Sequence, residues 1–519
     1  MNVSSCFVTE TFKKIVVNLY NPIAHVIPIY TVRLPIVYDE QKYFQVYDYS
    51  RKDVSATIFP IPKWIQSLPG REGNATHELV FDVNLPSMGF IEFMVTQTDK
   101  RRSNSAQLAS KKSIVEDTFI RLSNRIIEFG KNGAIKQIKF NREWISLTSD
   151  FYYYEAHDGN NKEFKDRASG AYIFRPRIQA PTRLASLRES ILYSDWSEKY
   201  IEIHQFYEGF VKQVIRLHSN KDWIEFDWFV DSIPVEDNIG KEVIARFSTN
   251  LNNNQTFYTD SNGRQMIKRT WNYRPSLPDY IVFEPVPSNY YPVNSRIYLK
   301  DDTKKIQMTL LNDRSQGGTN VNNGELELML HRRLLHDDAF GVDEALNERD
   351  SDGKGLRVTG KIYLLIDNSD ISARKHREFA QNLYMQPIIA FQPEMSERRK
   401  KLKKISSIIL PLNVHLLTYE QLLENNILLR LEHYFQKDED SFMSRDVQVD
   451  LKQLFPNRSI TNIQELTLGG NVDRSALKQR LPFKYENQTF DYNHYEFVNN
   501  STIIQLKPMQ IRTLLVTLN

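Results

Sequence analysis

The stretch Asp313–Glu348 reads DRSQGGTNVNNGELELMLHRRLLHDDAFGVDEALNE, and the character of the whole chain can be read outward from it. It opens with turn formers, Gln316-Gly317-Gly318 and then Asn322-Asn323-Gly324. Glu325-Leu326-Glu327-Leu328-Met329-Leu330 follows with charged and apolar residues in near alternation. That period of two belongs to a strand with one face in a core. The stretch ends in a polar knot, His331-Arg332-Arg333 and then His336-Asp337-Asp338. Adjacent arginines at a strand end, followed by paired carboxylates, are costly to bury unless they pair with each other or face a polar ligand.

The same β grammar extends in both directions. Asn132-Gly133 between Arg125–Phe129 and Ala134–Phe140 is a hairpin signal. Strands are expected at Ile201–His204, Val211–His218, Trp223–Val230, Glu242–Phe247, Arg296–Leu299, Lys305–Leu311 and Leu356–Asp367. The aromatic run Trp223–Trp228 is read as core, not as a platform for stacking sugars. Upstream, Phe12–Tyr20, Ala24–Leu34, Tyr43–Tyr47 and Phe90–Val95 are short strands separated by turns. They form a small sandwich. Downstream, Ser369–Tyr384 breaks the pattern as an amphipathic helix, and strands resume from Val414 to the C-terminus. The reading is therefore mainly β: a small immunoglobulin-like sandwich over 1–98, a linker over 99–112, a large central sandwich over 113–395, a basic linker over 396–408 and a small C-terminal β-sandwich over 409–519. A chain of 519 residues is too long for one core, which agrees with several domains. The basic pairs in 99–112 are read as a solvated loop in a polar, apolar-poor stretch, and the run Ser396–Lys404 as an exposed linker because no aromatics interleave it.

Composition excludes some function classes. Net charge is +3 with acids and bases interleaved, which leaves no electrostatic footprint for nucleic acid. No apolar run of about 18 residues exists, so no membrane-spanning helix is expected. Seven Asn-x-Ser/Thr sequons, at Asn2, Asn74, Asn254, Asn457, Asn487, Asn499 and Asn500, lean toward a glycoprotein of the secretory route. The opening residues carry no charged-then-apolar leader, and Cys6 is the sole cysteine. Together these read as the back half of a longer precursor.

Specific motifs lie on this scaffold: Ala168–Pro176 (ASGAYIFRP), Gly240–Phe247 (GKEVIARF), Phe257–Arg264 (FYTDSNGR), Tyr290–Tyr298 (YYPVNSRIY) and the GELELMLHRRLLHDD core, with Leu429–His433 and Leu506–Thr513 near the end. In this order they resemble the C-terminal half of the family-38 glycoside hydrolases, in the lysosomal α-mannosidase branch, over nearly the whole chain. The resemblance implies a large sandwich of the galactose-mutarotase-like super-sandwich type. It implies an enzyme, a retaining α-mannosidase that removes terminal α-mannose from N-linked glycans, with a carboxylate nucleophile and a carboxylate acid/base. In that family both carboxylates and the zinc ligands belong to an N-terminal domain. This chain is then expected to bind no metal, to contribute no catalytic residue, to be inactive alone, and to partner that domain and mannose-containing glycans, with room for a homodimer. Lysosome or secretory pathway is the implied location, and Cys6 is implied to pair with a cysteine outside this chain.

For the sugar pocket, the resemblance points to Tyr172 and to the Arg332-Arg333 pair as substrate-binding residues. Alternation lets only one of the two arginines face the site, and the sequence leaves open which one. His331, His336, Asp337 and Asp338 are read as an ion-pair network with the arginines, not as a metal cluster. The alternatives are a non-catalytic carbohydrate-binding or interaction module derived from such an enzyme, and a plain β scaffold.

Overall fold

The computed structural model describes residues 4–184, 186–277, 279–394, 408–479, 484–485, 488–489 and 501–519. Asn2, Asn487, Asn499, Asn500 and residues 396–407 of the basic linker lie outside the described residues.

The fold is mainly β. The centre is a two-sheet sandwich. One sheet has ten strands and the other nine, and both are built from antiparallel neighbours. Phe226, Trp228, Phe247, Leu328 and Leu364 lie in the single large core between them. Trp228 is 1% exposed, in keeping with a packing role for the aromatic run. A smaller sandwich precedes it, with Val17, Leu34, Phe81 and Val95 in its core. A third set of strands, around Leu429, Leu431, Leu514 and Val516, ends the chain.

Two segments behave differently from the sequence reading. Ile388–Pro393, assigned there to the large sandwich, pairs antiparallel with Lys14–Tyr20 of the first one. Lys14–Tyr20 would otherwise present Ile15, Val16 and Val17 on an open edge, and the returning strand closes it. The segment 99–112 is not a free linker. Gln107–Leu108 adds in parallel to Thr57–Ile58 of the first sandwich, and Ser110–Ser113 joins the ten-stranded sheet beside Ile191–Ser194. A chain crossing between two sheet edges satisfies its backbone groups by pairing with both.

Helix Ser369–Tyr384 forms where the sequence places it and buries Ala373, Phe379, Ala380 and Leu383. Its Arg377 reaches the third sandwich, donating to the Tyr434 carbonyl at 2.6 Å. The first and central sandwiches meet through buried charge. Arg33 bridges Glu78 and Glu202, each at 2.7 Å. Glu202 also holds Arg216 at 3.2 Å, and Asp82 holds His218 at 2.7 Å.

Candidate functional site

The site lies on the outer face of the nine-stranded sheet, where Glu143–Glu155, Lys241–Thr249 and Glu325–Arg333 run side by side. Phe151, Val243, Ala245, Phe247, Leu326 and Leu328 point into the core. Tyr152, Tyr154, Ile244 and Met329 pack together on the opposite face. The middle of that face holds a buried polar group. Glu327 Oε1 accepts the Tyr290 hydroxyl at 2.5 Å and the Tyr154 hydroxyl at 3.0 Å, while Oε2 accepts Arg246 Nε at 2.9 Å and Nη2 at 2.6 Å. Burial, then the Glu327 charge, pushes both phenols well above the ordinary tyrosine range, so they remain donors at any physiological pH.

A β-bulge decides how the strand ends. Val243 pairs with His331 but Ile244 pairs with Met329, so Leu330 is the extra residue. The bulge reverses the alternation beyond it. Arg332 therefore sits opposite Glu242 on the outer face, and Arg333 sits opposite Lys241 on the inner side. Arg332 donates to Glu242 Oε1 through Nε at 2.9 Å and Nη2 at 2.6 Å. Arg333 is 7% exposed and turns to the Asn347 side chain at 2.7 Å and the Ile233 carbonyl at 2.6 Å. Of the two arginines, only Arg332 reaches the Tyr172 segment.

That segment, Ser169–Ile173, is a turn held from two sides. From below, Ser169 Oγ donates to Glu242 Oε1 at 2.9 Å and Arg332 Nη2 donates to the Ile173 carbonyl at 2.8 Å. From the side, Asp338 Oδ2 accepts the Tyr172 backbone N–H at 2.7 Å and the Ile173 N–H at 2.9 Å. Gly170 makes the approach feasible: a Cβ there would stand 2.6 Å from Asp338 Cβ and 2.7 Å from its backbone nitrogen. The expected ion-pair network is thus not the one that forms. Asp338 is fully buried and serves backbone amides, and the charge partner of Arg332 is Glu242, 90 residues upstream. Glu242 has no exposed surface, and desolvation raises its pKa, with Arg332 opposing.

Above this base the Tyr172 side chain is 69% exposed. It neighbours Phe340 at 6.3 Å between ring centroids, and the Arg167 guanidinium lies 4.4 Å over the same Phe340 ring. A cavity of about 640 Å³ opens beside it, with Tyr172, Phe174, Arg175, Glu284, Tyr290 and Arg332 among its walls. Arg175 Nε holds Glu284 at 2.6 Å across that wall. Phe164, 68% exposed, meets the same Phe340 ring edge-on at 6.4 Å. Phe164, Tyr172 and Phe340 together give this face an apolar surface of the kind that marks an interaction site.

Sequence reasoning missed Glu242, Ser169, Phe164 and Phe340 as parts of the site. Glu242 had one faint signal: it is a charged residue at the outward register of a strand whose central inward residues, Val243, Ala245 and Phe247, are apolar. Among the described residues no three of His, Cys, Asp and Glu gather in a way that could hold a metal. The donor set here does not fit zinc, and His331 is instead a mostly buried imidazole whose pKa is lowered by desolvation. No helix of the described residues is long and apolar enough to cross a membrane. Cys6 is a free, half-buried thiol, and the sequons Asn74, Asn254 and Asn457 are exposed.

Comparison with known proteins bears on the family and the fold. Residues 122–340 match the family model described as the glycosyl hydrolases family 38 C-terminal domain, and residues 413–514 match the family 38 C-terminal beta sandwich domain. Lysosomal α-mannosidase of Bos taurus is 35% identical over 100% of this chain and 50% of its own length, and the Homo sapiens protein of the same name is 34% identical over the same shares. An α-mannosidase of Arabidopsis thaliana is 33% identical over 99% of this chain and 52% of its own length. A family-38 glycosyl hydrolase structure from Enterococcus faecalis shares the fold, with a TM-score of 0.53 at 12% identity, covering 99% of this chain and 59% of that one. The chain spans about half the length of the curated relatives it matches. On these matches and on the sandwich that carries the Tyr172 turn, the chain belongs to glycoside hydrolase family 38 and carries that family's C-terminal region.

Proposed function

We propose that this chain forms one wall of the sugar pocket of an α-mannosidase acting on terminal α-mannose of N-linked glycans. The carrying observation is Tyr172, whose side chain is 69% exposed while its backbone N–H is pinned at 2.7 Å to a buried carboxylate. A phenol held in this way offers a hydroxyl to a sugar and a ring edge to its apolar face. Ordering it in advance removes an entropy cost from binding. Arg332 lines the same cavity and supplies the positive rim. The curated relatives are named α-mannosidases, two of them lysosomal, which supports the substrate class and a lysosomal or secretory location.

In this reading the nucleophile, the acid/base carboxylate and the zinc belong to a partner N-terminal domain, which docks on the exposed aromatic face around Phe164, Tyr172 and Phe340. Cys6 and the exposed sequons Asn74, Asn254 and Asn457 fit a disulfide to that domain and N-glycosylation. Homodimerisation is part of the same family reading. This chain's residues orient the sugar and exclude water from one side, and no proton transfer is assigned to them.

The test uses the purified chain and an aryl α-mannoside. The chain alone should give no turnover with or without zinc. The assembled enzyme, with the catalytic domain present, should be active, and Tyr172→Phe should lower its kcat/KM about ten-fold at unchanged melting temperature. Zinc-dependent turnover by the chain alone would refute the division of labour. Full activity of Tyr172→Phe would remove the tyrosine from the pocket. If the chain alone binds mannosides and no catalytic domain assembles with it, the second reading, a carbohydrate-binding module, takes its place.

A further inference from the structure

We propose that Glu242 is a positioning residue for the Tyr172 wall, acting through Arg332 and Ser169; this rests on the reading of Tyr172 as a sugar-facing group. One of its oxygens, Oε1, accepts three hydrogen bonds: Arg332 Nε at 2.9 Å, Arg332 Nη2 at 2.6 Å and Ser169 Oγ at 2.9 Å. These two partners grip the two ends of the turn that carries Tyr172. Ser169 begins the turn, and its oxygen also accepts the Arg175 N–H at 3.0 Å. Arg332 Nη2 holds the other end at the Ile173 carbonyl, 2.8 Å away. A single carboxylate therefore sets both feet of the turn, while Tyr172 itself remains exposed.

Stability alone is a poor explanation for a carboxylate at this place. Glu242 has no exposed surface, and its second oxygen, Oε2, is buried without a protein hydrogen-bond partner. A buried ion pair with half of its acceptor capacity unused is commonly no more stabilising than a well-packed apolar pair of the same size. The same sheet face offers a contrast. Glu327, equally buried, has both oxygens satisfied by Arg246, Tyr154 and Tyr290, and none of these belongs to the Ser169–Ile173 turn. Glu327 ties the sheet face together. Glu242 ties the sheet to the turn.

The experiment compares hydrogen–deuterium exchange of the segment 168–175 in the wild-type chain, Glu242→Gln, Ser169→Ala and Glu327→Gln. Glu242→Gln keeps the shape and one acceptor oxygen but removes the charge. We expect the segment to exchange at least ten-fold faster in Glu242→Gln and at least three-fold faster in Ser169→Ala, with the core strand 243–247 unchanged. In Glu327→Gln the segment should keep wild-type protection. Wild-type protection in both Glu242→Gln and Ser169→Ala overturns the proposal, as does equal loosening in Glu327→Gln. Should Glu242→Gln fail to fold, Glu242→Asp carries the test, because it keeps the charge but withdraws the carboxylate from both Arg332 and Ser169, whereas Ser169 Oγ also lies 3.1 Å from the Ile173 carbonyl within the turn.

In the assembled enzyme, Glu242→Gln should lower kcat/KM about ten-fold, and the double variant with Tyr172→Phe should lose little more than Tyr172→Phe alone, because both act at one point. Fully multiplicative losses overturn the positioning role while leaving Tyr172 in the pocket. An unimpaired Tyr172→Phe enzyme overturns the pocket reading itself, and the exchange result distinguishes the two failures.

Discussion

Gly170→Ala is the most direct perturbation of the site, because its effect follows from distances. The added methyl would lie 2.6 Å from Asp338 Cβ, 2.7 Å from Cγ and 2.7 Å from the Asp338 backbone nitrogen. Carbon–carbon contacts settle at about 3.5–4.0 Å, so the turn must retreat by about 1 Å. A rotamer change cannot relieve the clash, since one of the three atoms is backbone. The Tyr172 and Ile173 amides now lie 2.7 and 2.9 Å from Asp338 Oδ2. A retreat of about 1 Å carries both beyond hydrogen-bonding range. Hydrogen bonds to a charged group contribute about 1.5–3 kcal/mol each, so about 3–6 kcal/mol is at stake. The lower end applies, because an exposed turn can lift its amides into water. About 3 kcal/mol of local stability corresponds to about a hundred-fold faster amide exchange over 168–175. The central core, which Gly170 does not touch, should keep its protection, and kcat/KM of the assembled enzyme should fall with the turn. Wild-type exchange over 168–175 in a folded Gly170→Ala chain would refute the claim that this close approach holds Tyr172 in place.

Three further outcomes are expected. Arg333→Ala should destabilise the central sandwich by about 2–3 kcal/mol in urea, because it orphans the Ile233 carbonyl and the Asn347 side chain, yet leave exchange over 168–175 unchanged. Glu225 bears on acid stability. Burial raises its pKa, but Lys361 and Arg216 outweigh burial and hold the carboxyl near pH 2, below its usual value of about 4.5. A depressed folded pKa gives stability that is present above about pH 4.5 and lost as pH falls toward 2. By linkage this amounts to about 3 kcal/mol, and Glu225→Gln should lower the melting temperature at pH 6 and flatten the decline between pH 4.5 and 2. Tyr172→Ala should change the stability of the isolated chain by no more than about 0.5 kcal/mol, since the side chain is largely in water; a larger loss would mean that the ring packs more than its exposure allows.

The strands of the central sandwich were legible because each obeys a local rule. Alternation in Glu325–Leu330 and Asn132-Gly133 between β-branched runs both report on neighbours a few residues away. Two things of the same apparent kind were not legible. Ile388–Pro393 has ordinary strand composition, but its partner Lys14–Tyr20 lies some 370 residues upstream, and pairing at that distance leaves no local trace. The strand Glu143–Glu155, central to the site, is hard to read locally because the run Phe151-Tyr152-Tyr153-Tyr154 hides its alternation among aromatics that suit either face.

The sequence by itself determined the β class, the helix at Ser369–Tyr384 and the ordered motifs of a family-38 chain. Only the tertiary structure decided between Arg332 and Arg333. Perfect alternation from Glu327 through Met329 would have put Arg333 on the outer face. One extra residue at Leu330 reverses the register and puts Arg332 there, opposite Glu242. A bulge arises from how two strands fit across a sheet, and so the pattern of either strand alone does not contain it. The role of Asp338 was hidden for a related reason. Its carboxylate answers the backbone amides of Tyr172 and Ile173, about 165 residues upstream, and every residue offers an amide, so no side-chain code marks the partner.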